Sequence, residues 1–483
     1  MDYRNIIFNS ILVAGLSLLS VSCDDWLDVQ PKSQVEDTEL FESESGFKEA
    51  LSGVYSSMIS EKTYSKELTF GAIAILGQEW SNYPTTDYQD LSNYNYSTTI
   101  ASRFISGIWE ASYNGIANVN NMLKQIDGKK SVFQSHNYEI IKGEALALRA
   151  LLHFDLLRCF GVSYEVNSEM PAIPYCTDLT YRVFPQLKVK DVAEKVMIDL
   201  LEAENLLKVD PILTGEEITE LNDNGYLMNR QVHLNYYAVK GLQARVYMWM
   251  KNYTEAEKAA KVVIDSHKFP WVDLSYVSVG HDYGFATEQL FALNNITQSN
   301  LADKYFSEDS EYSFSLDEEV RLKYYDNITS DYRYLYQFVS GSKNEAVNYR
   351  YSLKYHNPTV NRNDSFDEEE YYSDKMPMIR LGEMYLILSE CQYRSSGSGL
   401  EPLNDLRTAH GASALESLPT DYYTELIKEY RRELLGEGQL FFLYKRLNRP
   451  LVMGADMDMI GTKAYTFPLP ISETDASQRE TNR

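Results

Sequence analysis

Residues 77–96, GQEWSNYPTTDYQDLSNYNY, interleave aromatic rings with amides and carboxylates. Trp80, Tyr83, Tyr88, Tyr94 and Tyr96 alternate there with Asn82, Asp87 and Asn93. Rings of this kind stack on the flat C–H faces of a sugar, while neighbouring amides and acids hydrogen-bond its hydroxyl edges. Trp80 is the leading candidate for such a contact, with Tyr83, Asn82, Tyr94 and Tyr96 beside it. For any one tyrosine the competing role is to pack a loop onto the body. Across the chain 38 Tyr and 5 Trp stand against 19 Phe, an excess of amphipathic aromatics that suits binding surfaces.

Other chemistries find no footing in the residue spacing. The seven histidines are His136, His153, His233, His267, His281, His356 and His410, too far apart for HExxH or any helical His pair, so no metal centre is expected. GxSxG, GxxxxGK and GxGxxG are absent, which removes the commonest hydrolase, nucleotide and dinucleotide signals; no catalytic residue and no cofactor is assigned. Paired carboxylates for glycoside cleavage escape this test, because they meet in space from distant positions. The run Asp367–Glu370 lacks the glycine and alternation of a calcium loop and reads as a solvated acidic loop. With 45 basic against 70 acidic residues the net charge is −25, and basic runs never exceed a pair, so nucleic acid is not a partner.

Cys23 stands where an apolar stretch, Ile6 to Leu19, gives way to Asp24, Asp25 and Asp28. The stretch is too short for a membrane-spanning helix and reads as a signal peptide over residues 1–22. Leu19-Ser20-Val21-Ser22-Cys23 resembles a bacterial lipoprotein box, which makes Cys23 the lipid-bearing first residue of the mature chain. Two or three acyl chains on it, at about 0.8 kcal/mol per buried CH₂, would hold a soluble body at a membrane. The acids after it resemble those that accompany surface export in Bacteroidetes lipoproteins. Cys159, Cys176 and Cys391 are too few for a disulfide framework; a 159–176 bridge is conceivable, but free buried thiols are the expectation.

The elements that must position the aromatic segment are mainly helical. SGFKEALSGVYSSMI presents Phe47, Ala50, Leu51, Val54 and Met58 on one face, and FISGIWEASYNGIANVNNMLKQI presents Ile105, Trp109, Tyr113, Ile116, Val119 and Leu123. The helix ending at Gly161 is apolar on more than one side and should be central. Tyr236–Phe269, with Ala244, Tyr247, Ala256 and Ala260, is similar to one tetratricopeptide helix pair. RLGEMYLILSECQYR, with Gly382 and Tyr385, opens a second, whose partner helix begins near Pro402. Two such pairs argue for further, degenerate ones. Residues 60–100 and 270–375 lack sustained periodicity and read as long loops and short strands, with the helical scaffold at about 40–60, 100–270 and 376–450.

Taken in order, WLDVQP, GFKEALSGVYSSM, IWEASYNGIANVNNML, EALALRALLHFDLLRCFG, EQLFALN, LNDLRTA, ELIKEYRRELLGEGQLFFLYKRLN and FPLPISE resemble the SusD/RagB family of outer-membrane lipoproteins. The resemblance covers nearly all of the mature chain; Tyr430, Leu440 and Tyr444 depart from the family pattern and suggest a divergent branch. It implies a single domain over residues 23–483, mainly α, in which tetratricopeptide-like pairs form a right-handed superhelical scaffold around a loop-rich insert with short strands. It further implies a non-catalytic protein, tethered to the outer membrane and facing outward, that passes a glycan or peptide to a SusC-like TonB-dependent transporter. Family ligands commonly meet aromatics from both loop-rich regions, which adds Trp271, Tyr276, Tyr305 and Tyr312 as candidates. A lipid-anchored scaffold without an uptake role is the alternative, and a glycoside hydrolase the third class.

Overall fold

The computed structural model describes residues 39–180, 182–341, 348–358, 372–455, 459, 463–477 and 479–483. Cys23, the signal peptide and the acidic run 367–370 lie outside the described residues. Ser43 caps helix α1 (Glu44–Met58), its Oγ accepting the Gly46 N–H, and the helix buries Phe47, Leu51, Val54 and Met58 on the expected face. Two short helices follow, α2 (Ala72–Leu76) and α3 (Thr85–Ser92). Thr98 then caps the long α4 (Thr99–Ile126). Helix α5 (Asn137–Phe160) is buried along nearly its whole length and packs between α4 and α6 (Val189–Leu206), as its all-round apolar character requires.

The tetratricopeptide-like pairs form as expected. Helices α7 (Tyr236–Trp249) and α8 (Tyr253–Ile264) pack through Ala244, Ala256 and Ala260, all fully buried. Later in the chain, α12 (Leu381–Ser396) and α13 (Leu400–Ala409) make the second pair, and α8 packs on α12 to join the two. Gly382 has a further reason to be small. A Cβ there would meet the Glu433 carboxylate 2.2 Å away.

Between the pairs lies the insert, with short helices as well as the expected strands: α9 (Gln298–Tyr305), α10 (Glu318–Tyr324) and α11 (Tyr332–Tyr336). The loop reading of 60–100 and 270–375 is corrected to this extent; five to eight residues are too few for a 3.6 period to emerge. Strands β3 (Gln289–Asn294) and β7 (Lys375–Arg380) pair antiparallel, as do β1 (Pro171–Pro174) and β2 (Gln186–Lys188). Strands β4 (Leu316–Asp317), β6 (Tyr349–Ser352) and β5 (Phe338–Ser340) form a three-stranded sheet in that spatial order. Cys159, Cys176 and Cys391 are free thiols, and burial pushes each up to about 12.

A buried ionic network ties the insert to the C-terminal helix α14 (Tyr422–Leu434) and to Glu437 in the turn after it. Arg333 donates to Asp331 at 2.7 and 3.0 Å, to Glu433 at 2.9 Å and to Glu429 at 3.3 Å. From β7, Arg380 donates to Glu433 and to Glu437, the latter at 2.9 Å, while Lys354 reaches Glu437 at 2.7 Å. All are buried. Burial alone would neutralise Glu433, but Arg380 and Arg333 outweigh it and hold the carboxyl well below its ordinary range.

Two other buried carboxyls behave in the opposite way. Glu79 Oε2 accepts the Gly436 N–H at 2.7 Å, but Oε1 has no hydrogen-bond partner, and burial raises the group from 4.5 to about 7. Burial likewise raises Asp282 to about 7. A folded-state pKa above the unfolded one means the folded chain takes up protons across that window. These groups therefore stabilise the protein as pH falls from about 7 toward 4.5 and cost stability above it. His153, lowered to about 3 by burial, opposes them below pH 6.5. Glu79→Gln keeps the acceptor for Gly436 and removes the titration. The variant should exceed the parent in stability by roughly 3 kcal/mol at pH 8 and lose most of that gain by pH 5. Denaturant unfolding at both pH values checks this; an equal difference at the two would contradict it.

Candidate ligand-binding surface

The fold brings the two aromatic segments together. Asn82 and Ser315 form an antiparallel bridge, the Ser315 N–H donating to Asn82 O at 3.0 Å and the Asn82 N–H to Ser315 O at 3.1 Å. The Asn82 side-chain amide donates to Asp317 at 3.0 Å, and the Asp317 N–H to Ser81 Oγ at 3.1 Å. Residues 77–96 are thereby stitched to the strand edge that follows Tyr305 and Tyr312. A layer of rings lies beneath: Phe70, Trp80, Tyr88, Tyr305, Phe306 and Phe314, with neighbouring centroids 4.9 to 6.5 Å apart.

This layer corrects the sequence reading of individual residues. Trp80 is 5% exposed; its indole N–H donates to Phe70 O at 2.9 Å and its ring lies against Phe306 and Phe314. It is a core residue, not an open stacking platform. Tyr94 and Tyr96 are buried too, their hydroxyls donating to Leu76 O at 2.8 Å and to Ala464 O. Tyr305 is buried against Phe70, and Tyr88 is buried with its hydroxyl on Glu67 at 3.0 Å. The physical reason is common to all five. Short helices and loops that carry many large rings lower their free energy by turning those rings inward, and the polar tips of Trp80, Tyr88, Tyr94 and Tyr96 each find a carbonyl or carboxylate.

What remains at the surface is a smaller set. Tyr312 is 44% exposed, Tyr83 is half-buried, and Asn82 is half-buried with its amide engaged. Trp271 packs elsewhere, half-buried against Tyr385 and His410, and Tyr276 lies near His281 and Tyr372. Around Tyr312 runs a belt of ions that the sequence did not single out. Lys304 bonds Glu61 at 2.8 Å and sits 4.7 Å from the Tyr305 ring centre and 6.0 Å from that of Tyr312. Lys66 lies over Tyr88 and Tyr305, and Arg103 over Phe104, which stacks on Tyr88. Asp87 is close enough to help raise the Tyr312 hydroxyl, whose main perturber is Glu311. Chemically this surface offers a ring face, amides and charges.

Two further features bear on function. Glu288, His410 and Glu433 place one ligand-type atom each within 4.8 Å of one another, fully buried. The guanidiniums of Arg380 and Arg333 already occupy these carboxylates, so the cluster is part of the ionic network, and a divalent ion there would face two fixed cations. A separate cleft of about 320 Å³ opens beside Trp109, Tyr113 and Phe184, with Asn120 donating to Cys176 O and Tyr113 to Pro174 O. No helix of the described residues is long and apolar enough to cross a membrane.

Comparison with known proteins places these observations. Residues 25–213 match a family model described as starch-binding associating with outer membrane, and residues 221–482 match that of the SusD family. SusD-like protein P38 of Formosa agariphila is 23% identical over 94% of this chain and 93% of its own length. A SusD superfamily protein from Bacteroides thetaiotaomicron superposes with a TM-score of 0.70 at 20% identity, covering 91% of this chain and 100% of that one. Surface glycan-binding protein A from Bacteroides uniformis does so with 0.68 at 18%, covering 91% and 99%. The helical pairs, the insert and the ordered C-terminal block are thus those of a known fold, and this chain belongs to the SusD/RagB family.

Proposed function

We propose that this protein binds a nutrient oligomer, a glycan in the first instance, on the surface around Tyr312 and Tyr83, and hands it unaltered to a SusC-like TonB-dependent transporter in the outer membrane. The observation that carries the reading is the convergence of residues 77–96 with the Tyr305–Asp317 stretch, in a chain whose family and neighbours are described as starch- or glycan-binding. The site acts by complementarity alone: a ring face stacks, Asn82 and nearby polar groups meet hydroxyls, and the stiff helical pairs keep the surface formed before ligand arrives. The tether is Cys23. Lipid chains there would fix the body beside the barrel and raise the local concentration of captured ligand.

The test has two parts. Incubation with neutral oligosaccharides followed by chromatography should show retention without shortening; detectable turnover would sink the receptor reading. Cys23→Ala should release the protein from the membrane fraction and abolish co-purification with a large barrel protein. Continued membrane attachment without detergent would contradict the tether.

A further inference from the structure

The ionic belt bears on which ligand this surface can take, an inference that rests on the binding reading above. Each described cation around Tyr312 already has a carboxylate. Lys304 is held by Glu61 at 2.8 Å, Lys66 by Glu67 at 3.2 Å, Arg103 by Asp87 at 3.5 Å and Lys62 by Glu110 at 3.8 Å. Carboxylates, by contrast, are in surplus. Glu311, adjoining Tyr312, and Asp90, one helical turn from Asp87, have no cationic partner among the described residues. Among the described residues around Tyr312 no guanidinium or ammonium is without a carboxylate, and the net charge of −25 adds a field of the same sign.

We infer that the ligand carries no net negative charge at this surface: neutral or amino-bearing oligomers are accepted, and uronate- or sulfate-bearing ones are turned away. An anionic sugar stacked on Tyr312 would meet Lys304 with Glu61 already on it, and would have to share that ammonium with a carboxylate of its own sign. An ammonium could instead join Lys304 among the same rings and carboxylates.

The experiment titrates the full mature chain with a neutral hexose oligomer, its uronic-acid counterpart and a glucosamine oligomer of equal length, at low and physiological salt. The uronate should bind at least about tenfold more weakly than the neutral oligomer, and the glucosamine oligomer should tighten as salt is lowered. Glu311→Lys, an exposed change, should raise uronate affinity several-fold without moving the melting temperature. Uronate binding equal to or tighter than neutral binding overturns the inference. If no glycan binds, the glycan reading fails while the charge rule is still read on a lysine-rich against a glutamate-rich peptide. Preference for the acidic peptide, or binding of neither, overturns the rule as well.

Discussion

Arg333→Met will destabilise the protein by about 3–5 kcal/mol, because it leaves buried carboxylates without their central cation. Asp331, Glu429 and Glu433 all accept from this guanidinium, and none is exposed. Arg380 and His410 remain beside Glu433, and Arg407 and Arg432 beside Glu429, but Asp331 has no second arginine among these bonds. Arg333→Lys should recover little of the loss, since a point charge cannot reproduce a fork that reaches three carboxylates at once. Denaturant titration is the measurement. A lower midpoint with an unchanged slope is expected, and a loss under about 1 kcal/mol would show that the network does not depend on Arg333.

Trp80→Ala should have an effect of similar size, and on stability, not on recognition. The deletion leaves a cavity between Phe306, Phe314 and Gly436 and strands the Phe70 carbonyl, which together cost about 3–5 kcal/mol. Measured at low temperature, where the variant is still folded, its ligand affinity should change far less than its melting temperature. A large loss of affinity with the melting temperature unmoved would return Trp80 to the binding surface.

The contrast between these residues marks what the sequence can and cannot convey. Helices such as α1 and α4 were legible because their buried faces recur with a regular period, as in Phe47, Leu51, Val54 and Met58. The α7–α8 pair was legible from its small residues and its Asn252 turn. Tyr and Trp in residues 77–96 were legible as a set but not one by one. An aromatic with a polar tip satisfies both a core and a surface, and only the position of Phe70, Phe306 and Phe314 decides which. Those three rings lie far apart in the chain and carry no local signal. The same holds for Lys66 and Lys304, whose meaning comes from the rings they cover, and for Gly382, whose small size serves a carboxylate some fifty positions away.

The most direct measurement of the central claim is the affinity of Tyr312→Ala for the neutral oligosaccharide that the parent retains. A stacked aromatic contributes about 1–3 kcal/mol by analogy with base stacking, so binding should weaken by roughly 5- to 150-fold. Tyr312 is exposed, so the melting temperature should stay put. Tyr83→Ala, made in parallel, should weaken binding in the same direction. Unchanged affinity in both variants would contradict the account and place the ligand on another face of the molecule.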